Sequence, residues 1–218
     1  MIRPRLKSGF MNACLPIATA VILLIGCATV KTVNYRDLIL NINAHGTRGI
    51  AVAVIDLRKD VVSKLKSPDA VGAVKSATLE WSDIKTLSGK PLADDLSFAV
   101  RKSLERKGFK TVPVEMPAVT DVAAVENLLK KENADRLILL IVNQLWSETY
   151  ASTQFEHNLK LLVMDQSGKV VATVETKGSN KLGDSNQPDK VQGNLEVFVF
   201  MKLLELLNDD VVRRSLSE

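Results

Sequence analysis

RLILLIVNQLW, residues 136–146, is the stretch on which the fold turns. It is apolar at odd and even positions alike up to Val142, so neither side of a strand built from it could face water. It reads as a central strand covered on both sides. Working outward, FEHNLKLLVMD (155–165) and KVVATVETK (169–177) flank Gln166-Ser167-Gly168, a hairpin with a glycine turn. SNKLGDSNQPDK (179–190) reads as a polar loop, and a long helix follows from about Asp189 to Asn208. A short C-terminal turn closes the chain.

Upstream, Thr120 is placed to cap a helix over 121–132, with Val122, Val125, Leu128 and Leu129 inward. FKTVPV (109–114) is a strand, at a sheet edge because Pro113 lacks a ladder donor. Before it, Leu92, Leu96, Val100 and Leu104 recur every fourth residue after Pro91. That is the apolar stripe of a helix ended by Gly108 in the left-handed region. IAVAVIDL (50–57) is a buried strand. VVSKLK (61–66) and VKSATLEW (74–81) read as weaker strands separated by Pro68 and Gly72. The order predicts an α+β fold, a mainly antiparallel sheet packed against two or three helices. The expected division is one domain over 50–218 after a flexible tether over 27–49, with one ordered piece near Tyr35–Leu40.

The N-terminus has its own logic. Arg3, Arg5 and Lys7 precede a mostly apolar run from Ala13 to Ile25, which Gly26 and Cys27 close. A positive start, a short apolar core and a small-residue end make a secretory signal, here residues 1–26. Leu24-Ile25-Gly26-Cys27 resembles the lipobox of bacterial lipoproteins at all four positions. The resemblance implies cleavage before Cys27 and a covalent lipid on that residue, with no other cofactor. Several acyl chains anchor stably, each buried methylene contributing about 0.8 kcal/mol, where one chain holds only marginally. The alternative is an uncleaved transmembrane anchor, which Pro16, Thr19 and Thr29 weaken; both readings export the rest of the chain. Ala28 stands where enteric-type lipoproteins kept at the inner membrane carry aspartate. By that resemblance the expected location is the outer membrane, facing the periplasm.

The remaining composition agrees. Cys14 leaves with the signal and Cys27 takes lipid, so no disulfide forms within one mature chain. The precursor has 29 basic against 25 acidic residues. Loss of Arg3, Arg5 and Lys7 removes most of that excess, and no nucleic-acid partner is indicated.

LADDLSFAVRKSLERKGFKTV (92–112), the later strand-rich stretch, the long helix and the terminal LLNDDVVRRSL (206–216) resemble the YajG-type outer-membrane lipoproteins in layout. The resemblance covers roughly 50–218 with the lipobox. It implies a location and an α+β periplasmic domain, and no reaction.

Catalytic signatures are not found. The chain has two histidines; His45 falls in the tether, and His157 alternates with Phe155, Leu159 and Leu161, as a residue at a core margin does. SGKP (88–91) lacks the first P-loop glycine, since Ile84 holds that position. DSNQPD (184–189) lacks the calcium-loop glycine and glutamate. Asp94-Asp95 and Asp209-Asp210 read as solvated charges, and Asn143 and Gln144 as the margin of the sheet. The chain is therefore expected to be no enzyme and no metal binder.

The surface feature that stands out is NLEVFVFMKLLELLND (194–209). Val197, Phe200, Leu204 and Leu207 form the expected core stripe, with Phe198 and Met201 beside a narrow edge of Lys202, Glu205 and Asn208. The apolar arc is wider than one packing face needs. Two functions follow as expectations. One is a non-enzymatic binding or assembly module whose partner is an envelope protein or a second copy. The other is a lipid-transport accessory holding an acyl chain in an apolar groove lined by Phe198, Met201 and Trp146.

Overall fold

A computed structural model describes residues 32–75, 79–116, 122–184 and 188–217. The signal, the lipobox Leu24–Cys27 and the cap Thr120 lie outside the described residues.

The spine of the molecule is β6, Arg136–Thr149, in one eight-stranded sheet. Ile138, Leu140 and Val142 enter the main core while Leu137 and Leu139 enter a smaller one on the other face. That is why its sequence could afford no polar side. Along one edge it pairs antiparallel with β7, Ser152–Asp165, which pairs in turn with β8, Val170–Asp184. The turn between β7 and β8 carries Gly168 at φ +74°, with Asp165 accepting from the amides of Ser167 and Lys169. β8 runs through much of the stretch expected to be loop.

The opposite edge of β6 is shared by two strands laid end to end. β2, Gly49–Asp56, pairs parallel with residues 136–142, and β3, Ala70–Lys75, pairs parallel with 147–149. β5, Lys110–Pro113, closes the sheet beside β2, at the edge its proline predicts. β4, Trp81–Thr86, is antiparallel to β3, and β1, Thr32–Val33, is parallel to β4. The α+β class holds, with the sheet mixed: antiparallel through β6–β8 and parallel around β2. The strand expected over 61–66 is instead α1, Lys59–Val62, followed by turns. Gly72 belongs inside β3 because a Cβ there would come within 2.0 Å of Ser147 Oγ.

The gap between β2 and β3 is filled by one side chain. Arg58 is 3% exposed and forks onto Asp56 through Nε and Nη2, at 2.9 and 2.7 Å. Its remaining donors reach the carbonyl oxygens of Pro68 and Ala70, which open the approach to β3. Opposite this junction β6 makes a bulge at Asn143, between Val142 and Gln144. The two amides therefore mark a bulge in mid-strand, not the margin of the sheet.

Three helices cover the main core: α2, Leu92–Glu105; α4, Pro188–Leu207; and α5, Asp210–Ser217. Gly108 stops α2 at φ +93°, as expected. On the other face α3, Val122–Lys131, buries Val125 and Leu129 against β2 and β6.

Residues 32–48 differ from the expected tether, because they form a strap between α2 and α4. Val33, Tyr35, Leu40, Ile42 and Ala44 are buried. The polar residues between them tie the strap to both helices. The Asn34 amide donates to Glu196 at 2.8 Å and the Asn43 amide to Asn208 at 2.7 Å. On the other side the Leu40 amide donates to Ser103 Oγ at 2.8 Å, and Arg36 pairs with Asp95 at 3.4 Å. Asn, Gly and Thr made this segment look like spacer, but its apolar residues are spent on the core.

Tyr35 is the largest fully buried side chain of the strap, and its hydroxyl has no partner in the described structure. Burial, with the Glu196 carboxylate, drives its phenol far above the usual range. Tyr35→Phe removes an unsatisfied polar atom and keeps the ring. It is expected to leave stability unchanged or raise it by about 1 kcal/mol in urea unfolding; a clear loss would show that the hydroxyl is bonded in solution.

Candidate functional site

His157 and Asp95 are two ionisable side chains buried among the described residues. His157 is buried on β7 beside Phe155 and meets Phe198 edge-on, with ring centroids 5.4 Å apart. Its Nε2 lies 3.4 Å from Thr176 Oγ1 and its Nδ1 has no partner. Burial, helped by the Lys202 ammonium, lowers its pKa below the ordinary value, so the folded protein holds the ring neutral. The sign of the pH effect follows. Above about pH 6.5 both states are neutral there; below it the unfolded chain takes up the proton first. Stability should therefore fall as pH drops below that value, and His157→Phe should flatten this part of a stability–pH profile. An unchanged slope would assign the loss to other groups.

Asp94 is exposed, whereas Asp95 is buried and departs from the expected pair of solvated charges. Ser88 Oγ lies 2.7–2.8 Å from both Asp95 carboxylate oxygens and also accepts from the Lys90 amide. Burial raises the Asp95 pKa, against the lowering effect of Ser88 and Arg36. SGKP is thus the loop that seats the start of α2. Asp209 accepts from the Val211 amide at 2.8 Å, a helix-start role. Among the described residues no group of three His, Cys, Asp or Glu side chains is placed to hold a metal ion.

The long helix is phased differently from its expected stripe. Leu195, Val199, Leu203, Leu206 and Leu207 are buried, whereas Val197 is 57% and Met201 58% exposed. A helix apolar almost all round does not phase itself by pattern. Here the strap does so, by tying Glu196 and Asn208 to one side. Val197 and Met201 lie four apart on the outer face, with half-buried Phe200 and Leu204 beside them.

The three expected contact residues are not brought together. Phe198 points to the main core side and packs on Phe155, with centroids 4.8 Å apart. Trp146 is opposite Glu156, which alternates with Phe155 and His157 along β7, so it projects from the other face of the sheet. There it lines a cleft of about 270 Å³ with Arg58, Asp60, Lys66 and Gln144. The Lys66 ammonium sits 5.4 Å from its ring centroid. A groove lined jointly by Phe198, Met201 and Trp146 is therefore not formed. A larger cleft, about 600 Å³, lies between α2 and the residues after β5. Arg36 stacks 4.0 Å over Phe98 at its wall. Nothing in the sequence pattern pointed to it, since Arg36 lies in the strap and Phe98 on the helix.

No family model matches the chain, and neither does any curated protein. Solved structures are similar at a distance. Protein XCC0632 from Xanthomonas campestris is 14% identical, over 84% of this chain and 93% of its own, with a TM-score of 0.49. PelC from Paraburkholderia phytofirmans, solved as a dodecamer, is 12% identical over 80% and 91%, with a TM-score of 0.44. The lipoprotein GNA1162 from Neisseria meningitidis is 14% identical over 72% and 99%, with a TM-score of 0.32. These likenesses are distant, and the functional reading rests on this chain's own residues.

The outer face of α4 presents Val197 and Met201 to solvent. No helix among the described residues is long and apolar enough to cross a membrane.

Proposed function

We propose that the chain is a lipid-anchored protein of the bacterial cell envelope, acting as a non-enzymatic binding or assembly module. Acyl chains on Cys27 hold it at the outer membrane, facing the periplasm. The observation that carries this reading is Leu24-Ile25-Gly26-Cys27 at the end of an apolar run that follows Arg3, Arg5 and Lys7. The YajG-type layout of residues 50–218 supports the same class. The partner surface is the outer face of α4, where apolar side chains remain exposed after the core is complete. Its partner is an envelope protein or a second copy of the chain.

The lipid-transport reading loses its support in the interior. Leu195, Val199, Leu203 and Leu206 pack with Phe155, Leu159 and Leu161 in one core, where an acyl chain would need room.

A photo-reactive residue at position 201, compared with one at exposed position 177 on β8, tests the partner surface in living cells. Discrete crosslinked species from 201 and none from 177 are expected. Their absence from 201, or equal yields from both, would remove α4 as the contact.

A further inference from the structure

The structure assigns one end of the sheet to the bilayer: Trp81 and Tyr150, with Lys75 between them, enter the headgroup layer of the membrane that holds Cys27. This deepens the proposed function and rests on acylation of Cys27.

Trp81 and Tyr150 are 53% and 57% exposed, the two aromatic side chains among the exposed large hydrophobics of the described residues. They come from separate places, Trp81 from the start of β4 and Tyr150 from the turn between β6 and β7. The Lys75 ammonium brings them together, 5.8 Å from one ring centroid and 4.6 Å from the other. Leu79, also exposed, precedes Trp81 on the same end. Aromatic rings with a polar tip, beside a lysine, suit the boundary between headgroups and acyl chains.

Chain geometry turns this end toward the membrane. β1 runs parallel to β4 and begins with Thr32 opposite Lys85, so the chain enters it from the side on which Trp81 lies. Cys27 is five residues before Thr32, at most about 18 Å of extended chain. From Lys85 back to Trp81 is about 13 Å of strand. In the other direction Lys85 pairs with Ala70, near the level of Leu145 on β6. From there to Arg136, at the far end, is about 30 Å. A residue acylated at 27 can lie in the bilayer beside Trp81 and cannot reach past the far end. Because the strap is packed in the core from Val33 onward, the link between the body and Cys27 is only the few residues before Thr32.

The test uses the full mature protein in phosphatidylethanolamine–phosphatidylglycerol vesicles that contain a phosphatidylcholine brominated near the top of its chains. Trp146→Phe leaves Trp81 as the only tryptophan, and Trp81→Phe leaves Trp146; an intact mass first establishes the state of Cys27. The expected result is loss of most Trp81 emission and retention of Trp146 emission. Unquenched Trp81, or equal quenching of both, on acylated protein overturns the orientation while the lipoprotein reading stands. An unmodified Cys27 overturns that reading and the orientation with it. If Trp146→Phe does not fold, Tyr150→Trp in the Trp81→Phe background, read as quenching gained over Trp81→Phe alone, gives the same decision.

Discussion

Arg58→Ala is expected to lower the stability of the domain by about 3–5 kcal/mol, the range for breaking a buried ion pair from one side. The loss has three sources. The Asp56 carboxylate, its side chain 10% exposed, loses the fork that faces it. The carbonyl oxygen of Ala70 loses the Arg58 donor, and that of Pro68 is left with the Leu92 amide alone. The two strands that share one edge of β6 lose the group that joins them. Arg58→Lys should recover only part of the loss, because an ammonium cannot make the planar two-bonded contact. Urea unfolding of both variants measures this. A cost under about 1 kcal/mol for alanine, the value of an exposed pair, would mean the junction is held by the ladders alone.

Cys27→Ala has the largest expected effect on location. Without the thiol no acyl chain is attached, and the attachment supplied by about 0.8 kcal/mol per buried methylene disappears. The protein should leave the washed membrane fraction or accumulate unprocessed. The folded domain should be unchanged in either case, since its core begins at Val33. Fractionation with a size comparison on a gel reads both outcomes. A variant that is still processed and remains tightly membrane-bound would contradict the anchor.

The legible parts of the fold were those encoded in neighbouring residues. The β6–β7–β8 meander, α2 with its Gly108 stop and the edge at Pro113 all follow from local periodicity or turn chemistry. The parallel half was hidden because β2, β3 and β6 meet through contacts between distant residues, and nothing local records that β2 and β3 share one edge. Arg58 gave no signal beyond a charge after a strand. Composition hides the strap: its buried residues Val33, Tyr35, Leu40, Ile42 and Ala44 are separated by polar ones that bond to α2 and α4. In α4 the failure was one of phase. A helix with Leu, Val, Phe and Met on most sides does not say which side packs, and Val197, expected in the core stripe, faces out. Of the candidate contact residues, Met201 is on the surface, Phe198 is partly buried against the core and Trp146 belongs to the other face. His157 lies on the core side that strand alternation with Phe155 indicates.

The most direct test of the account is the mass of the N-terminal peptide of the mature protein, purified from membranes. A mature chain that begins at Cys27 and carries a diacylglyceryl group on sulfur and an acyl group on its amine is expected. A peptide that runs through Gly26 into Cys27, or a mature terminus with a free thiol, would contradict it.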